Sequence, residues 1–299
     1  MAGRPDTARG SRGAETFVSI DPVDNFYQTC AFIPMSFALV TTVYEDGQTG
    51  IGPHALCYPF SVVKPYSMML ISRSSSGTAA NIRRTGKCAL NYVLFDRQRL
   101  TGIANMGYPG MALVDKLEAN PYTLVDSPSP AQAADPEFPK IIGEAFQVME
   151  CTWDDRFGLH QHRDDFDRPY DSFYSLLVER ILMQEEYAPG VEKGEIFPNM
   201  PIFYGYRANR GFWFAKHQKP FSVPLPEVQG MEHQTVFYQA NRIDSSVRFT
   251  EAACKQLTGI PKPFMKDALK QIVDAALARG VSEIDEAFLQ QVMAERSQG

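Results

Sequence analysis

The chain lacks any run of about 18 consecutive apolar residues, the length a helix needs to cross a bilayer, so no membrane span is expected. It also lacks cysteines at C-x-x-C spacing. Its five cysteines, Cys30, Cys57, Cys88, Cys151 and Cys254, are scattered and odd in number. This argues against a disulfide framework or a cysteine-ligated zinc site and makes the cytoplasm the default compartment. Excess positive charge is missing too. With 29 Lys plus Arg against 35 Asp plus Glu, the formal charge is −6, which leaves no footprint for nucleic acid or an anionic membrane. Met1–Gly13 is rich in Arg and Gly without an apolar signal-peptide core, so residues 1–16 are expected to be a disordered tail. No G-x-G-x-x-G follows a strand pattern, and a Rossmann nucleotide site is not supported.

What is present suits one large domain with a small appendage: 299 residues, 44% of them hydrophobic. The segment Phe37–Tyr44 is rich in β-branched and aromatic residues and runs into Glu45-Asp46-Gly47, a hairpin turn signal. Further strands are predicted at Met68–Ser72, Cys88–Leu94, Phe146–Trp153, Phe173–Glu185 and Ile202–Tyr206. One short helix, Thr78–Thr85, precedes Gly86. Many strands with few helices between them point to a barrel rather than a doubly wound sheet. Residues 95–142 read as an irregular insertion with a short helix near 111–118, because Pro121, Pro128, Pro130, Pro136 and Pro139 interrupt any long element. The barrel domain is placed at 17–247.

Residues 248–299 read as a helical module. Between Pro263 and Gly280 the apolar residues Met265, Leu269, Ile272, Val273, Ala276 and Leu277 share one helix face. A second helix is expected to start within Ser282–Asp285 and to bury Phe288, Leu289, Val292 and Met293. Packing of this module on the barrel or on a second copy is the expected arrangement.

The stretch most informative about chemistry is Ile71–Arg84. It runs from a strand end through small hydroxyl residues and one arginine into a helix start. First-turn N–H groups lack internal partners and the helix dipole favours an anion there, so Ser, Thr and Arg at this place would complete a phosphate cradle. The plainer reading is an ordinary N-cap, because Ser and Thr begin helices of every kind.

At these residues the chain resembles the flavin-reductase-like, FMN-binding split-barrel family. The likeness rests on segments in order between 17 and 215: Pro34-x-x-Phe37-Ala-Leu-Val-Thr-Thr42 with Asp46-Gly47; Gly52-Pro-His-Ala-Leu56 with Phe60-Ser61; Ser72–Asn81 with Gly86-Lys-x-Ala-Leu-Asn91; Val114-Asp-Lys-Leu117; and Glu144-Ala145 with Glu150-Cys151. The resemblance implies a mainly β fold, an FMN-binding split β-barrel with a small α-helical C-terminal module. It implies a homodimer with FMN near the subunit interface. Ser72, Arg73, Ser74, Ser75, Thr78 and Asn81 would surround the phosphate and ribityl chain, and Pro53, His54, Ala55 and Leu56 would line the ring. The implied activity is FMN-dependent oxidoreduction with NAD(P)H as hydride donor and no catalytic side chain required. At one point the sequence departs from the pattern. The Gly-Asp-His step of family reductases reads Pro169-Tyr-Asp-Ser172 here, and the nearest histidines are His160 and His162. An FMN-holding relay module that docks a partner protein through its helical end is the alternative. Phe249–Phe288 resembles the small C-terminal module of the light-independent protochlorophyllide reductase B subunit, which would link the chain to tetrapyrrole metabolism.

Three further groups have plainer readings. His160-Gln-His162 with Asp164 and Asp165 contains metal-ligand residue types but no well-spaced third partner, and is expected to be a solvated loop. Cys57 follows the ring-lining segment, yet buried cysteine is a common small core residue. Tyr204, Tyr206, Phe212, Trp213 and Phe214 are expected in a strand-rich core rather than as a substrate wall.

Overall fold

The computed structural model describes residues 18–107, 113–207, 211–223 and 233–296; the expected tail at 1–16 lies outside them. The chain divides into two compact units at Pro220/Phe221.

The first unit is built on an eight-stranded sheet. Its strands are β1 (Ala38–Val43), β2 (Thr49–His54), β3 (Cys57–Ser61), β4 (Ser67–Arg73), β5 (Lys87–Val93), β6 (Ala145–Trp153), β7 (His160–Arg163) and β8 (Pro169–Met183). They are ordered β2-β1-β5-β6-β8-β4-β3, with β7 added against β8. Every pairing in this sheet is antiparallel. The sheet curls until its ends meet: β2 and β3 lie at opposite ends of the strand order, yet only Ala55 and Leu56 separate them in the chain. A hairpin of β9 (Pro201–Arg207) and β10 (Gly211–Lys216) joins the short strand Met35–Ser36 in a separate three-stranded sheet.

Side-chain alternation explains the layers. On β1, Ala38 and Val40 point into one core with Cys57, Leu70, Cys88, Leu90, Tyr174 and Leu176. Phe37 and Leu39 enter a second core with Ala89, Val93, Ile142 and Val148 on the opposite face. Both faces of β1 are thereby covered, and all six of its residues are buried, which is why the sequence there is an almost unbroken apolar and threonine run. Helix α1 (Gly77–Thr85) sends Ala79 and Ile82 into the first core. Helix α2 (Arg97–Gly107) sends Leu100, Ile103 and Met106 into the second.

Helix α2 corrects the expectation of an irregular 95–142 segment. Its buried residues recur every three positions, but Thr101, Gly102 and Asn105 between them are weak helix formers and hide the period. The helix expected near 111–118 is present as Leu113–Glu118, and residues 111 and 112 lie outside the described residues. The proline-rich loop is tied down by a buried carboxylate: Ser127 and Ser129 both donate to Glu150, Ser129 at 2.9 Å.

The second unit has its own core, in which Phe249, Leu257, Met265, Leu269, Ile272, Ile284 and Leu289 are buried. Its helices are α3 (His233–Ala240), α4 (Glu251–Leu257), α5 (Lys262–Ala278) and α6 (Glu286–Arg296). The structural division falls earlier in the chain than the sequence boundary at 247/248, because Val236 and Ala240 of α3 pack into this helical core. The helix expected to start within Ser282–Asp285 begins at Glu286, after a two-residue strand, Glu283–Ile284, paired in parallel with Arg248–Phe249. Its cap is Asp285, whose carboxylate accepts from the Phe288 N–H at 2.8 Å. Among the described residues no helix is long and apolar enough to cross a membrane.

Candidate functional site

The strand–turn–helix Ile71–Arg84 forms as its sequence suggests, and its turn is held from several sides. The Ser76 side chain caps α1 by accepting from the Ala79 N–H at 3.0 Å, a contact worth about 1 kcal/mol. The Ser76 N–H closes the turn on the Arg73 carbonyl at 2.9 Å. Ser74 is engaged at all three of its polar groups. Its N–H donates to the Tyr170 carbonyl at 2.9 Å, its hydroxyl pairs with Ser172 at 2.8 Å, and its carbonyl accepts from Arg83 at 3.1 Å. Ser72 is buried and pairs with the Ser76 hydroxyl at 2.8 Å. Asn81 is buried and donates to Thr42 Oγ1 at 3.0 Å, fastening α1 to β1. Ser72, Ser74 and Asn81 therefore brace the turn from behind, whereas Ser75 stands exposed at its tip. The Gly77 and Thr78 N–H groups, in the first helical turn, have no partner within the helix.

The ring-lining candidates meet this turn at one point. A Cβ on Gly52 would lie 2.6 Å from Thr78 Oγ1 and 3.1 Å from His54 Nε2, so a bare backbone is required where β2 passes the helix start. At Gly77 a Cβ would come within 2.7 Å of the Tyr44 hydroxyl, so the end of that side chain would have to move. The sequence reading included Tyr44 and these two glycines in its segments but gave them no packing role, because their close approach appears only when the three segments are brought together. The Pro53–Leu56 side chains do not share a face. His54 faces the helix start, Ala55 packs with the second core, and Pro53 touches Gly107 at the end of α2. What they present together is main chain.

His54 is held neutral. Burial lowers its pKa to about 4, against the opposing pull of the Ile71 backbone carbonyl beside it. Part of the residue stays accessible. Arg73 is turned away from the turn: it donates to Asn25 Oδ1 at 2.8 Å and Asp171 Oδ1 at 3.3 Å and stacks on Tyr170 at 3.8 Å.

The remaining groups sort as follows. Cys57 is a core residue whose thiol is pushed up to about 12, by burial first and by the nearby Cys88 second, so thiolate chemistry is disfavoured. His160 and His162 are not in a loop but on β7, hydrogen-bonded to β8, with His162 opposite Asp171 and His160 opposite Phe173. The periodicity missed this strand because its side chains are mostly exposed and polar. Among the described residues no cluster of three or more His, Cys, Asp or Glu is arranged to hold a metal. The aromatic group divides between faces: Phe212 and Phe214 pack on Phe203, Tyr204 stacks on Phe32, and Trp213 is exposed. The side chain of Tyr206 lies outside the described residues.

Residues 30–164 match the model of the Flavin reductase like domain. Nitrilotriacetate monooxygenase component B from Bacillus cereus superposes with a TM-score of 0.54 at 17% identity, covering 70% of this chain and 100% of that one. The fold is a flavin-reductase-like split barrel. A second split barrel, the 2-nitrobenzoate 2-nitroreductase NbaA from Pseudomonas fluorescens, gives a TM-score of 0.51 at 16% identity, covering 71% of this chain and 97% of that one. Identities this low speak for the split-barrel architecture alone. No curated protein sequence matches the chain, so the likeness of Phe249–Phe288 to the protochlorophyllide reductase subunit gains no support, and the helical unit lies beyond the matched range.

Proposed function

We propose that the split barrel binds FMN with its phosphate at the Ser74–Thr78 turn and works as an FMN-dependent oxidoreductase fed by NADH or NADPH. The observation that carries this reading is the pair of first-turn N–H groups at Gly77 and Thr78, next to the exposed Ser75 at the turn tip, with the Thr78 hydroxyl against Gly52 of β2. Such a donor set suits a phosphate ester, because N–H dipoles and hydroxyls offset its charge without a metal ion. The residues present fit the group. Ser75 and the Gly77 and Thr78 N–H groups would hold the phosphate, and the main chain of Pro53–Leu56 would border the ring. Ser72, Ser74 and Asn81 would keep the turn in shape.

Bound FMN would supply two-electron transfer through its isoalloxazine ring. This chain's part is to orient that ring along the Pro53–Leu56 main chain, while the His54 imidazole faces the helix start. A homodimer is supported by the sheet edge. Strand β3 and the residues after it expose Tyr58, Phe60, Val62 and Val63 immediately beyond the ring-lining segment, and an apolar edge of this kind calls for a cover.

The test is an anaerobic absorbance spectrum of the protein with added FMN, followed by NADH and then NADPH. Bound flavin that bleaches is the expected result. Flavin that binds but stays oxidised with both donors would shift the assignment to a relay module fed by a protein partner. The separate core of the helical unit is consistent with that second reading.

A further inference from the structure

Arg73 and Arg83 both reach the turn, and the family resemblance puts Arg73 at the phosphate. Arg73 is the residue within the serine run, but its guanidinium is already engaged. It is paired with the Asp171 carboxylate, bonded to Asn25 and stacked on Tyr170. Its charge is neutralised locally, and turning it toward a phosphate would break all three contacts.

Arg83 sits differently. Side chains on a helix lean toward its N-terminus, so Arg83, in the second turn of α1, reaches back under the turn. One arm of its guanidinium donates to the Ser74 carbonyl and the other to the Tyr174 hydroxyl, each at 3.1 Å. Tyr174 is a rigid anchor: it is fully buried on β8 and donates its own proton to the Ala79 carbonyl of α1 at 3.1 Å. Arg83 is exposed in part and, among the described residues, has no carboxylate partner. It therefore brings an uncompensated positive charge to the turn and fixes the one polar group of Ser74 that β8 does not hold.

We infer that Arg83, not Arg73, is the arginine that serves the phosphate subsite, as a positioning residue that sets the Ser74–Thr78 turn from beneath. The inference rests on the FMN reading above. It is specific to the phosphate, so riboflavin, which has the same ring and ribityl chain without the phosphate, is the internal control.

The experiment compares FMN and riboflavin affinities, by flavin fluorescence quenching, for the full-length wild type, R83Q, R83K and R73Q. Wild type is expected to prefer FMN. R83Q should lose about tenfold or more of that preference, the scale of a charged hydrogen bond, while its riboflavin affinity stays put. R83K should recover only part of it, because an ammonium cannot bridge Ser74 and Tyr174 as a planar fork does. R73Q should keep the preference. Thermal melts establish folding, and if R83Q does not fold, Tyr174→Phe, which removes one arm's anchor, should show a smaller loss in the same direction. Equal weakening of both flavins in R83Q, which a merely structural role would give, overturns the inference. So does a loss of preference in R73Q as large as that in R83Q. A wild type that binds both flavins alike, or neither, would remove the FMN reading itself and the inference with it.

Discussion

His54 shows how a residue's chemistry is set by neighbours that its own sequence context does not reveal. In an unfolded chain its imidazole titrates near 6.5; in the fold, burial brings that down to about 4. Between those values the unfolded state holds more protons than the folded one, so stability is complete above the window and is lost as pH falls through it. We expect the stability advantage of wild type over His54→Gln, read from urea unfolding, to shrink between about pH 7 and about pH 5. A constant difference across that range would contradict the assigned state. The strand–turn–helix around the serine run was legible because strand end, hydroxyls and helix start follow one another directly. The division of labour inside it was not. Ser74 and Arg73 are committed by Ser172 and Asp171, each 98 positions away, and Tyr44 becomes part of the site only through the glycines it touches.

Elements with one buried and one exposed face, or a run buried on both, announced themselves. Strands β1, β4, β5, β6 and β8, helix α1 and the amphipathic α5 all lie within a few residues of their predicted positions. The elements that were missed lack such a contrast. Helix α2 buries only Leu100, Ile103 and Met106, and β7 is largely exposed and polar, held by main-chain pairing to β8 rather than by apolar alternation. Asn91 shows what joins elements whose sequences are far apart. Wholly buried on β5, it donates to the Leu39 carbonyl at 2.9 Å and accepts from the Ile142 N–H at 2.9 Å, linking β1 to the short strand Ile141–Ile142. Its replacement by alanine leaves both groups unpaired and should cost about 3 kcal/mol of unfolding free energy, measured in urea. A loss below about 1 kcal/mol would mean that water replaces both bonds and that the residue is not the tie described.

On the scale of the whole molecule, two units with separate cores divide the chain at Pro220/Phe221. The sequence announced a change from strands to helices, but it set the change later, because α3 is short and has only Val236 and Ala240 fully buried. The barrel class followed from strand count and turn chemistry, and the FMN reading from the order of several short segments rather than from any single one. That reading places the ligand on one unit, at one turn. Amide hydrogen exchange of the full chain, with and without saturating FMN, tests it most directly. The account predicts that FMN slows exchange at Ser75, Gly77 and Thr78 and along Gly52–Leu56, and leaves the α5 and α6 amides unchanged. Saturable FMN binding with no added protection at Ser75–Thr78 would place the flavin elsewhere and contradict the assignment of the site.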